Sequence, residues 1–233
     1  MGELATPQFW VAVVQIIIIN ILLSGDNAVV IALACRNLPP RQRTWGVFWG
    51  AAGAIVLRIV LTFFAVALLE VPFLKLIGAL LLLWIGVKLI IEEDEGGHEI
   101  KASDRLFGAV RTVIIADLVM SIDNVVAVAA AAKGSLVLLV FGLVISIPLV
   151  VLGAQLILKL IQRLPVLVVA GGGLLGFIAG ELLVTDSAFV GRFGELHGWQ
   201  HWAIPIAGVV LVVGLGRWIE RRHERNRPTD VTR

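Results

Sequence analysis

NILLSGDNAVVIALA, residues 20–34, and DLVMSIDNVVAVAAA, residues 117–131, carry the same pattern twice. In register, Ser24 matches Ser121, Asp26 matches Asp123 and Asn27 matches Asn124, with apolar residues on both sides. Each copy places an Asp and its neighbouring Asn inside a run otherwise suited to lipid. A charge at the bilayer centre costs about 2.5–3.5 kcal/mol on insertion scales. Packing gives no reason to incur that cost twice, so the pair reads as a functional site within a membrane.

Composition agrees. The 233 residues are 59% hydrophobic and 15% charged, where a soluble domain has about 25% charged residues. The expected class is an all-α polytopic membrane protein forming one transmembrane domain over residues 1–233. The basic balance comes from a basic tail, residues 220–233, which excludes a nucleic-acid surface as its explanation. Cys35 is the one cysteine, so no intrachain disulfide or cysteine-based metal cluster is available. The first apolar run opens without a basic n-region or an A-x-A site, which reads as a first span and not a cleaved signal.

Runs of about 20 apolar residues cross ~30 Å of hydrocarbon as helix. Seven are present: Phe9–Ala34, Trp45–Leu69, Pro72–Ile91, Phe107–Ala132, Ser135–Leu160, Pro165–Val184 and His201–Ile219. Pro72 and Pro165 stand at helix starts, where a missing N–H does no harm. The two motif-bearing runs are unusually long, which predicts a tilt, kink or unwound segment in them. With the N-terminus outside, fifteen of the nineteen Lys and Arg residues fall on the cytoplasmic side, six of them in the arginine-rich tail from Arg217. That asymmetry predicts N-out, C-in. Trp10, Trp199 and Trp202 then mark the outer interface, and Trp45, Trp49 and Trp218 the inner one.

The repeat extends beyond the motif. Residues 71–90 (VPFLKLIGALLLLWIGVKLI) match 164–183 (LPVLVVAGGGLLGFIAGELL) through the early proline and the pair Gly78/Gly171. Spans one to three (9–91) thus correspond to spans four to six (107–184). Three spans is an odd number, so the second copy enters from the opposite side. The expectation is two inverted repeats that meet at a midplane site, with span seven (201–219) outside them.

In equivalent slots the first half offers Asn20, Asp26, Asn27 and Lys88, and the second offers Asp117, Asp123, Asn124 and Glu181. On a regular helix 117, 121 and 124 share a face, and 123 lies about 120° from it. Either each Asp occupies a different wall, or the helices open at Ser24–Gly25 and Ser121–Ile122 so that side-chain and backbone oxygens converge. Gly25 makes opening easy in the first copy, and Ile122 less so in the second. Four carboxylates (Asp26, Asp117, Asp123, Glu181) with amides and hydroxyls make an all-oxygen set, which suits a hard divalent ion such as Mn²⁺, Mg²⁺ or Ca²⁺. The plainer reading is interhelical glue, but such hydrogen bonds average only about 0.6 kcal/mol in membranes. Asn20, Ser24 and Ser121 are open between glue and a supporting role. Arg58, in mid-span, is expected to pair with one carboxylate, while Lys88 snorkels to the interface. Asp186 is either an outer gate ligand or a solvated helix end. Gly172, Gly176 and Gly180 form a stripe for close helix packing. The loop Glu92–Glu95 with His98 and Glu99 reads as a solvated connector, and His197/His201 is a weak pair.

SGDNAVVIALA, DLVMSIDNVVAVAA and GELLVTD resemble the TerC family of integral membrane proteins, particularly its short YjbE-like bacterial branch. The resemblance implies a seven-span bacterial inner-membrane protein of metal homeostasis, chiefly manganese efflux. It also implies that Asp26, Asp117, Asp123 and Glu181 form the ion site. On this reading the protein is a transporter and not an enzyme. Mn²⁺ is its substrate, no cofactor is permanently bound, and the bilayer is its partner, with a homo-oligomer open. Exchange against protons is the candidate coupling. Two other classes compete. An intramembrane aspartyl protease would use Asp26 and Asp123 as a catalytic pair, but this chain has S-G-D and S-I-D where such enzymes carry G-x-G-D. An organic cation or amino acid exporter would call for more aromatic residues near the site.

Overall fold

A backbone inside lipid has no hydrogen-bond partner but itself, so apolar runs close into helix. The computed structural model describes residues 7–22, 25–64, 71, 73–91, 102–132, 135–194 and 196–225, and among them all regular structure is helical. The first run divides into α1 (Pro7–Leu22) and α2 (Gly25–Cys35). There follow α3 (Pro40–Phe63), α4 (Leu74–Ile90), α5 (Ala102–Ala132), α6 (Leu136–Arg163) and α7 (Val166–Val184), then the short α8 (Ser187–Phe193) and α9 (Trp199–Arg225). Helices α3, α6, α7 and α9 are long and apolar enough to cross a membrane.

The helix limits differ from the apolar limits for local reasons. α3 starts at Pro40, five residues before Trp45, because a proline in the first turn needs no N–H partner. α5 starts at Ala102 with Asp104 in its first turn, where a negative charge offsets the helix dipole. α9 continues past Ile219 to Arg225, so part of the basic tail is helical and not a separate segment. Arg222 stacks on Trp218 there at 4.4 Å. The acidic loop 92–99 and residues 226–233 lie outside the described residues.

α3 lies along α5, and α6 lies along α1 and α2. α4 lies along α7, α9 covers α7 and α4, α2 touches α5, and α3 touches α6. Three apolar clusters fill the seams. One joins α2, α3, α5 and α6 around Ile31, Cys35, Val47 and Val113. A second joins α1, α3, α5 and α6 around Ile16, Ile55 and Leu143. The third joins α2, α4, α5 and α7 around Leu82, Val119 and Leu175. The outer surface is apolar in turn: Val56, Trp84, Leu152 and Val210 are each about 60% exposed. The six tryptophans assigned to the interfaces are all exposed as well. Such a surface is stable only against lipid.

Glycines set the closest approaches. A Cβ on Gly50 (α3) would meet Val113 of α5 at 3.2 Å, and one on Gly142 (α6) would meet Ile16 of α1 at 2.7 Å. Ile16 and Val113 occupy matching positions in the register of the repeated motif. In the stripe, Gly172 abuts Ile90 of α4, while Gly176 abuts the Gly208 backbone and Gly180 the Pro205 backbone of α9. The loop arginines also bond: Arg36 donates to the Leu89 carbonyl at the end of α4 (2.7 Å), and Arg43 donates to the carbonyls of Arg36 and Leu38.

Candidate functional site

Asp117 is the central residue of the 31-residue α5, roughly 22 Å from either end at 1.5 Å per residue. Arg58 reaches it from α3. The Arg58 Nη2–H donates to Asp117 Oδ1 at 2.7 Å, and Arg58 Nε–H donates to Ser121 Oγ at 3.1 Å. Ser121 in turn donates to Asp117 Oδ2 at 3.1 Å, closing a ring. Arg58, Asp117 and Ser121 are 2%, 3% and 0% exposed. Residues 117 and 121 are one turn apart, so both face the same neighbour. Arg58 therefore pairs with a carboxylate, and that carboxylate is Asp117. Asp117 is held by protein donors and does not project as an open ligand.

The first motif copy is built differently. α2 opens at Gly25, and the Asn27 N–H donates to the Asp26 carboxylate at 2.8 Å. First-turn amides have no carbonyl below them, and an acidic side chain there also meets the positive end of the helix dipole. Asp26 is half-buried, and the charges of both Arg58 and Asp117 act on it. Asn27 is 4% exposed, yet among the described residues neither its side-chain oxygen nor its nitrogen has a partner. No described atom lies within 4 Å of a Cβ built on Gly25, one residue from Asp26. A buried amide with nothing to bond, beside a carboxylate and open space, is a costly arrangement that a ligand would relieve.

The second copy runs unbroken through Ser121–Ile122 within α5. Of the two alternatives, the second copy thus takes the regular helix, where buried Ile122 carries a β-branched side chain in place of the first copy's glycine. Asp123 belongs to α5, but its side chain lies outside the described residues, as do the side chain of Asn20 and all of Ser24. Asn124 is half-buried and bonded. Glu181 is half-buried on α7, and its carbonyl accepts from Thr185 Oγ1 at 2.9 Å. Among the described residues no three His, Cys, Asp or Glu side chains gather, so the four-carboxylate set is not assembled by them.

Asp186 loses one of its two readings. It is 1% exposed, so it is not a solvated end. Oδ1 accepts from the Ala188 and Phe189 amides (2.9 and 3.3 Å), capping α8, and Oδ2 accepts from the Leu76 amide of α4 at 3.2 Å. All three bonds are structural. Asp186→Ala is expected to cost about 1–2 kcal/mol, the upper range for a lost N-cap, and to lower the melting temperature. Lys88, half-buried, lies 5.7 Å from the Trp84 ring, and His201 packs edge-on against Trp202. The sequence missed the orphaned Asn27 amide and the α8 cap; an Asp followed by Ser-Ala was the available signal for the cap.

A helical bundle with a lipid-facing apolar surface and a polar centre defines an integral membrane protein. Residues 5–224 match the model of the integral membrane protein TerC family, and the chain belongs to that family. It is 42% identical to the uncharacterized membrane protein YjbE of Bacillus subtilis (strain 168), over 88% of this chain and 94% of that protein. It is 32% identical to YceF, an uncharacterized membrane protein of the same organism, over 81% of this chain and 76% of that one. It is 27% identical to the UPF0053 inner membrane protein YgdQ of Escherichia coli (strain K12), over 68% and 74%. No solved structure matches.

Proposed function

We propose that the protein exports divalent metal cations, Mn²⁺ first among them, from the cytoplasm of a bacterium by alternating access. The observation that carries this is the orphaned Asn27 amide beside Asp26, at a helix start inside the bundle. A carboxylate, a carboxamide oxygen and the last carbonyls of α1, which have no donor within their own helix, are hard oxygen ligands for such an ion. Asp123, Asn124 and Glu181 complete the set in this reading, and Asp117 joins it when Arg58 lets go. The choice of Mn²⁺ over Mg²⁺ or Ca²⁺ rests on the family resemblance, since the ligand chemistry fits all three. Protons are the proposed counter-ion.

The architecture proposed for it is seven spans, N-out and C-in in the plasma membrane, with two inverted three-helix repeats (9–91 and 107–184). Two observations support the repeat. Gly50 against Val113 and Gly142 against Ile16 are the same crossing seen from each half. The packing partners also exchange: α3 with α5 answers to α6 with α1 and α2, and α4 pairs with α7.

The test is flux in proteoliposomes with Mn²⁺, Mg²⁺ and Ca²⁺ presented separately, for the wild type, Asp26→Asn and Asp123→Asn. Mn²⁺ flux that disappears in both variants is the expected result. Absence of flux for every divalent ion in folded wild-type protein would sink the reading and bring the intramembrane protease forward.

A further inference from the structure

The ring of Arg58, Asp117 and Ser121 joins helices of different repeats. α3 belongs to the first half and α5 to the second, so the ring bridges the surface along which the halves would move. The equivalent crossing in the other half has no such bridge. The register that equates Gly50 with Gly142 and Val113 with Ile16 puts Val150 where Arg58 stands and Asn20 where Asp117 stands. Cation and carboxylate are therefore present together in one crossing and absent together in the other. The second crossing packs without them, so close helix packing alone does not call for an ion pair here.

Chemistry says what the pair can respond to. Arg cannot lose its charge in a protein, so the ring does not open by deprotonation of the guanidinium. It opens when another cation takes the carboxylate. Asp26, the half-buried acid beside Asn27, stands one turn before Val30, which packs in the same cluster as Ala116 and Met120 on either side of Asp117, so a cation arriving there repels Arg58 and attracts Asp117. We infer that Arg58 is a tethered cation that latches the two repeats together in the empty protein, and that a divalent cation bound beside Asp26 trips the latch by competing for Asp117. The role of metal in this rests on the transport reading above; the latch rests on the ring and on the two-repeat architecture proposed with it. Arg58 is thus a positioning residue that sets which state of the bundle is populated.

Cys35 reports the state of the same seam. It is 0% exposed at the end of α2, and a Cβ on Gly46 of α3 would meet its Sγ at 3.0 Å and Leu106 of α5 at 3.3 Å. Maleimide labelling of this one native thiol in the full-length chain measures opening without any introduced probe. Mn²⁺ should speed labelling of the wild type between about 5- and 150-fold, the usual span of coupling between sites. Arg58→Gln should label fast without Mn²⁺ and gain nothing from it, with Arg58→Lys between the two. Arg58→Gln/Asp117→Asn, which neutralises both members of the ion pair, should recover the melting temperature but stay fast; a merely structural role would return it to the wild-type rate. Wild-type rates in Arg58→Gln or in the double variant would overturn the latch. If the single variant does not fold, the double variant and Arg58→Lys decide. A fast, Mn²⁺-indifferent Arg58→Gln beside a wild type that neither responds to Mn²⁺ nor transports it would keep the latch and remove the metal.

Discussion

Arg58→Met should destabilise the protein by about 3–5 kcal/mol, the cost of leaving one partner of a buried ion pair uncompensated. Asp117 would keep the Ser121 hydroxyl as a donor, inside a seam where it is 3% exposed. Asp117→Asn should be costly for the converse reason, because the Arg58 guanidinium would face a neutral amide. The double variant Arg58→Met/Asp117→Asn should recover most of the loss. Well-packed neutral replacements of a buried pair are often neutral or better. A double-mutant cycle on thermal unfolding reads the coupling directly. Single variants costing under about 1 kcal/mol would mean that the pair is solvated like a surface salt bridge and that its burial is not what holds it.

How much of this was legible before the structure depends on the kind of information each feature needs. Helix positions needed only hydrophobic length, and the described limits fall within a few residues of most of the apolar runs. The surplus turns of α3, α5 and α9 lie in polar sequence, where capping and charge extend a helix beyond its lipid-facing part. That Arg58 pairs with an acid followed from the cost of an unpaired charge in mid-span. Which acid it takes did not follow, because periodicity fixes faces along one helix and says nothing about the rotation of α3 against α5. The two motif copies read alike in sequence and differ in backbone: α2 begins at Gly25, while α5 passes through Ile122. The residue before each Asp carried that difference. Asp186 stayed open between a gate ligand and a solvated helix end because a carboxylate bonded to three amides has the same sequence as either.

Gly176→Ala should cost about 3 kcal/mol or more, the upper end of overpacking, because no side chain stands in the way to be moved. A Cβ at Gly176 would run into the Gly208 carbonyl, and a Cβ at Gly208 into that of Gly176, so α7 and α9 touch backbone to backbone. Gly180 makes the same approach to Pro205 one turn further on, which fixes the α9 axis at two points. A methyl group at 176 would have to push α9 away from α7, opening contacts along the whole seam. The control lies on α9 itself. A Cβ on Gly214 would meet nothing within 4 Å, so Gly214→Ala should be neutral or stabilise by up to about 1 kcal/mol through helix propensity alone. The two variants add the same methyl group to helical glycines, and their melting temperatures should move in opposite directions. If they moved together, the stripe would not be a fixed contact, and α9 would be free to slide on α7. Opposite shifts make α7 and α9 one rigid unit.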